Sequence, residues 1–167
     1  MKIEKGAIIS QITAFTEQEI SKFLQEHPGL TFYAFALDCN VEYGEVNLCL
    51  NTEAGFEKSL SYYKDSDPEH YSSSEAIFDL KYNTGDWDYQ CFATTYLFSD
   101  DEQMQITEED RDAWLVSLLQ ICNESLDKIT KTPAFKQISK TKDFISFCID
   151  HDEDVVDAVR KTNPSCL

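Results

Sequence analysis

Glycine is scarce in this chain and never clustered. Its five glycines, Gly6, Gly29, Gly44, Gly55 and Gly85, each stand alone. Neither a Walker loop nor a dinucleotide fingerprint can be built from them, because both need glycines close together to bring backbone N–H groups onto a phosphate. Histidine is scarcer still, with three in the chain. His27 sits at a Pro-Gly stop, His70 in a polar loop and His151 in an acidic turn. None lies in a nucleophile motif, and there is no Gly-x-Ser-x-Gly elbow. Basic residues are the third deficit: 14 Lys and Arg against 31 Asp and Glu leave a net charge of -17. That balance argues against direct binding to nucleic acid or to an anionic membrane, whose phosphates it would repel. No apolar run approaches the roughly 20 residues a membrane helix requires. The first ten residues, MKIEKGAIIS, carry too short an apolar stretch for a signal peptide, so a cytoplasmic location is expected. Cys-x-x-Cys spacing is also missing. The six cysteines, at 39, 49, 91, 122, 148 and 166, are scattered, most of them in apolar segments. Buried reduced thiols are therefore expected, with no cofactor.

What the chain does have is enough apolar material for a core. At 167 residues with 42% hydrophobic and 13% aromatic content, residues 1–167 are expected to form a single α+β domain without linker or second unit. The pattern suggests a mainly antiparallel sheet of about four strands flanked by about five helices. Residues 30–39 are apolar on both faces, the mark of an interior strand, with Tyr33, Phe35 and Leu37 on one side and Phe32, Ala34 and Ala36 on the other. A hairpin-length connection at 40–44 leads to 45–50, where Val46, Leu48 and Leu50 alternate with Asn47 and Cys49. Asn51 or Thr52 can cap a helix bearing Phe56, Leu60 and Tyr63. Residues 3–15 read as one helix, and Thr16 with Glu19 reads as a capping box opening a second. Residues 76–82 fit a strand or a helical turn. Residues 87–98 fit a strand with Trp87, Tyr89, Cys91, Ala93 and Leu97 on one face. From Thr107 to about Lys131 the stripe Leu115, Leu118, Leu119, Cys122, Leu126 and Ile129 marks the longest helix, closed by Pro133. A last strand at 144–149 and a short helix carrying Val155, Val156 and Val159 complete the chain.

Acids gather in two runs. Residues 98–112 carry Asp100, Asp101, Glu102, Glu108, Glu109, Asp110 and Asp112 against Arg111, more negative charge than capping a helix requires. They are either a solvated helix start or a surface for a basic partner. Residues 150–154 copy the opening of a calcium loop, but Val155 and Lys161 stand where such a loop needs Gly and Glu. Residues 65–69 fail in the same way, with His70 and Ala76, so no metal is expected. Trp87 reads as a core anchor first and an exposed partner contact second.

Three segments carry a family resemblance: FYAFALD (32–38), LNTEAGFE (50–57) and LKYNTGDWDYQ (80–90). Together they resemble the bacterial domain-of-unknown-function family numbered 4303, through Asn51-Thr52-Glu53, Tyr82 and Asp86-Trp87. Lys81-Tyr82 stands where the family pattern has Arg-Trp. The resemblance implies a polymorphic-toxin immunity protein, a cytoplasmic antitoxin that binds and blocks a cognate, basic, nuclease-like toxin. Contacts are then expected from Asp100, Asp101, Glu102, Glu108, Glu109 and Asp112, with Asp152, Glu153, Asp154 and Trp87. Two rival classes stand beside it: a non-catalytic adaptor for another basic protein, and an enzyme using Cys39, Cys49 or Cys91 with a histidine.

Overall fold

The computed structural model describes residues 4–104 and 106–163. In chain order the elements are α1 (Lys5–Glu26), β1 (Phe32–Asn40), β2 (Glu45–Thr52), α2 (Glu53–Ser66), α3 (Ser74–Tyr82), β3 (Tyr89–Tyr96), α4 (Asp100–Gln103), α5 (Glu108–Ile129), α6 (Pro133–Gln137), β4 (Lys140–Asp150) and α7 (Val155–Thr162). The α+β class therefore holds. The sheet has four strands in the order β3-β2-β1-β4 and is mixed: β1–β2 and β2–β3 are antiparallel, while β4 lies parallel to β1. A parallel neighbour needs a long crossover, which the helices between β1 and β4 supply. No described helix is long and apolar enough to cross a membrane.

Both faces of the sheet are covered. Phe32, Phe35, Leu37, Val46, Leu48 and Leu50 pack against α1, α5 and α6. Tyr33, Ala34, Ala36, Cys49 and Phe147 pack against α2, α3 and α7. The strict alternation expected for β1 fails at its start. Between Phe32 and Ala34 the register slips against both neighbours: Tyr33 is an extra residue against β2, whereas against β4 the extra residues lie on β4 itself. Tyr33 and Ala34 then share a face, and Phe32 joins Phe35 and Leu37. A bulge reassigns side chains to faces in this way without changing composition.

Several expectations at element level are corrected. Residues 5–26 form one helix, not two, and Thr16 is fully buried in its middle. Ile8, Ile12, Thr16 and Ile20 are spaced by four, so burying a continuous stripe outweighs a local capping box. Helix α1 thereby equals α5 in length, at 22 residues each. Residues 74–82 are helical, opened by Ser73, whose side chain accepts from Ala76 N. Trp87 lies before β3 and packs on the α2–α3 layer, whereas Tyr89 and Ala93 pack on the α1–α5 layer. The buried stripe of α5 is rotated towards Trp114, Leu118, Ile121, Ser125 and Ile129, leaving Leu115 and Leu119 only partly buried. Pro133 opens α6 at its first turn, a position where its missing N–H costs nothing.

Candidate functional site

Strand direction sets where the two acidic runs emerge. β1, β3 and β4 end, and β2 begins, at the same end of the sheet. Residues 99–112 leave that end from edge strand β3, and residues 150–154 leave it from the opposite edge strand β4. Between them lies a 3-10 turn, Val41–Tyr43, carrying Glu42 and followed by Glu45. Its Val41 N–H donates to the Asp150 carboxylate at 3.3 Å, and His151 N–H donates to Cys39 O at 2.8 Å. This ties the β4 exit to the turn. From the shared end the two runs diverge, α5 covering one face of the sheet and α7 the other.

Within the first run the acids have different duties. Thr107 caps α5 through Asp110 N at 3.3 Å and donates its own hydroxyl to Asp110 Oδ2 at 3.0 Å. Glu102 accepts from Ser99 N and Oγ, both at 2.8 Å. These two bonds hold its carboxyl below the usual range. Arg111 pairs with Glu42. Asp101, Glu108, Glu109 and Asp112 are exposed; the Asp100 side chain lies outside the described residues. In the second run Asp154 caps α7 through Val156 N at 2.9 Å and Asp157 N at 3.2 Å. Glu153 pairs with Lys161, and Asp152 is exposed. Trp87 is 4% exposed and donates from Nε1 to Lys81 O at 3.0 Å, which makes it a core residue and removes it from any contact surface.

Beside the first run an open cleft of about 410 Å³ is lined by Glu42, Tyr43, Met104, Ile106, Arg111, Trp114 and Leu115. Met104 at 81% and Tyr43 at 56% are among the most exposed large apolar side chains. Apolar groups left in water beside a charged rim are the usual anatomy of a contact surface. Sequence reading missed this cleft because its lining comes from the turn after β1, from the segment after β3 and from α5. A methionine, Met104, next to an acidic run was the one signal the sequence offered.

The three segments that carry the resemblance converge elsewhere, under α2 and α3. Asn51 Nδ2 donates to Tyr33 Oη at 3.1 Å, and Asn51 Oδ1 accepts from Thr52 N at 3.0 Å and from Asp88 N at 3.3 Å. Tyr33 Oη donates to Lys81 O at 2.5 Å, and Thr84 Oγ1 donates to Asp38 Oδ2 at 2.5 Å. Burial raises both the Tyr33 phenol and the Asp38 carboxyl. Tyr63 donates to Asp86 Oδ1 at 2.6 Å, which pushes its phenol up to about 12. These bonds tie β1 and β2 to each other, to α2 and α3 and to the turn at 84–86. Thr52, not Asn51, caps α2, accepting from Gly55 N at 3.0 Å.

The thiols divide into two sets. Cys39, Cys122 and Cys148 are buried together, with Cys39 and Cys148 sulfurs 3.6 Å apart. Cys49 is buried, whereas Cys91 is exposed, against the expectation of burial; Cys166 lies outside the described residues. Among the described residues no hydrogen bond joins a thiol to an imidazole: His27 packs tilted on Phe23 with ring centres 4.5 Å apart, and His70 meets Tyr71 edge to face at 4.8 Å.

Fold and surface together define an α+β domain with a sheet covered on both faces and an acidic, partly apolar end. The chain belongs to the family described as Domain of unknown function (DUF4303), whose model matches residues 12–164. Comparison with curated proteins and with solved structures found no match.

Proposed function

We propose that this protein is a non-catalytic cytoplasmic immunity protein, which binds a cognate basic toxin domain through the acidic end of its sheet and blocks it by occupying the toxin's positive active site. One observation carries the reading: residues 99–112 and 150–154 leave the same end of the sheet and flank the turn bearing Glu42, beside a cleft with Tyr43 and Met104 at its surface. A toxin that cleaves polyphosphate needs a positive site, and carboxylates presented to that site stand in for phosphates. The exposed Asp101, Glu108, Glu109, Asp112 and Asp152 supply the attraction. The cleft supplies the apolar seat that such pairs need for slow dissociation.

The test is co-expression with any toxin domain encoded beside its own gene, scored by cell survival and by co-purification. A protective complex whose association slows with added salt supports the proposal. A protective complex indifferent to salt moves the contact away from the acidic end. Absence of both complex and protection overturns the immunity reading for this pair.

A further inference from the structure

Against β2, strand β3 pairs Ala93 with Leu48 and Tyr89 with Leu50, so the single residue Cys49 faces Gln90, Cys91 and Phe92. Cys91 takes the middle of that bulge with φ +46°, a left-handed conformation that few non-glycine residues adopt. The bend turns the Cys91 N–H onto the Cys49 sulfur at 3.2 Å. Cys91 is exposed while Cys49 has no exposed surface.

We propose that Cys91 is an oxidant-sensing modification site with Cys49 as its resolving thiol. Hydrogen peroxide is the oxidant by chemical class. The Cys91 thiolate attacks one peroxide oxygen, the O–O bond breaks, and the released hydroxide takes a proton to become water, leaving Cys91 as the sulfenic acid. The Cys49 sulfur then attacks the Cys91 sulfur. The S–O bond breaks, the Cys49 proton leaves with the hydroxide as a second water, and a disulfide joins β2 to β3. In sum, two thiols lose two electrons and peroxide gains them. The roles follow from placement, since an oxidant can reach the exposed thiol and only the buried one waits behind it. The neighbouring Cys49 side chain lowers the Cys91 thiol below its ordinary value, although burial and the nearby Asp38 and Glu45 charges act against it. The same contact, with burial, raises Cys49. Cys39, Cys122 and Cys148 form an internal control, close to one another but sealed in the core.

The experiment treats the full chain, as wild type and as Cys166→Ser, with limiting hydrogen peroxide. Remaining thiols are then alkylated and peptides mapped by mass spectrometry, with circular dichroism confirming that the fold is kept. The expected first product is a Cys49–Cys91 cross-link, reversed by dithiothreitol, while Cys39, Cys122 and Cys148 alkylate only after denaturation. Native alkylation of Cys91 should outpace theirs roughly tenfold or more. In Cys49→Ser, Cys91 should run on to the sulfinic acid. A Cys39–Cys148 link formed first, Cys91 oxidised in the wild type without cross-linking, or Cys91 inert to peroxide would each overturn the proposal.

Discussion

At Gly55 the residue is chosen by space rather than by backbone angle. A Cβ there would lie 2.5 Å from Asn51 Oδ1 and 2.8 Å from Asp88 Oδ2. Alanine in a helix is ordinarily favoured over glycine by about 1 kcal/mol, but here it displaces the amide that receives Thr52 N and Asp88 N. Gly55→Ala should therefore destabilise the fold by about 1–3 kcal/mol, read as a lower urea midpoint with unchanged slope. An unchanged or raised midpoint would show that the Asn51 network yields freely. Nothing in the local sequence announces this demand: Asn-Thr-Glu reads as a capping signal, and Thr52 does cap, but the work of Asn51 depends on Tyr33 and Asp88, distant in the chain. Tyr33 was misassigned for a related reason, because period-two reasoning carries no sign of a bulge.

Among the elements, α1 holds a clear test. Thr16 is fully buried with its hydroxyl unpartnered, whereas local reading made it a cap. Thr16→Val keeps the shape and removes a polar group that burial has stripped of water, so it should stabilise the protein by about 1 kcal/mol. A lower thermal midpoint would instead restore a polar role for that hydroxyl. A helix boundary was legible where a cap operates locally, as at Thr107. Rotation of α5 was not, because Trp114 and Leu115 both suit an apolar stripe until neighbouring elements choose between them.

For the molecule as a whole, charge enters both the pH dependence of stability and the proposed recognition of a toxin. Asp38 is held above the ordinary carboxyl value, first by burial, with the Thr84 hydroxyl and the His151 charge opposing and Glu45 and Asp150 adding to the shift. A carboxyl raised in the folded state binds its proton more tightly there than when unfolded. Stability therefore falls as pH rises from the ordinary carboxyl range through the raised value. Asp38→Asn, which keeps an acceptor for Thr84, should gain thermal stability over the wild type across that window and hold the gain at neutral pH. A difference that does not change with pH would remove Asp38 as the cause. In recognition, Asp101→Lys with Glu109→Lys and Asp112→Lys should slow association with the toxin domain roughly 10–100-fold at low salt, whereas Tyr43→Ala with Met104→Ala should chiefly speed dissociation. Stopped-flow and surface-binding kinetics separate the two. Unchanged rates in both variants would leave the acidic end as solvated surface only.

Composition and local pattern by themselves determined the α+β class, the doubly covered β1, the start of α5 at Thr107, and a strongly acidic charge balance. These follow from short-range rules of side-chain alternation, helical spacing and charge. Tertiary structure alone decided that β4 runs parallel to β1, that Tyr33 changes face, that the two acidic runs share one end of the sheet, and that Cys91 meets Cys49. Each of these depends on groups far apart in the chain, and their energies arise only once packing has brought them together.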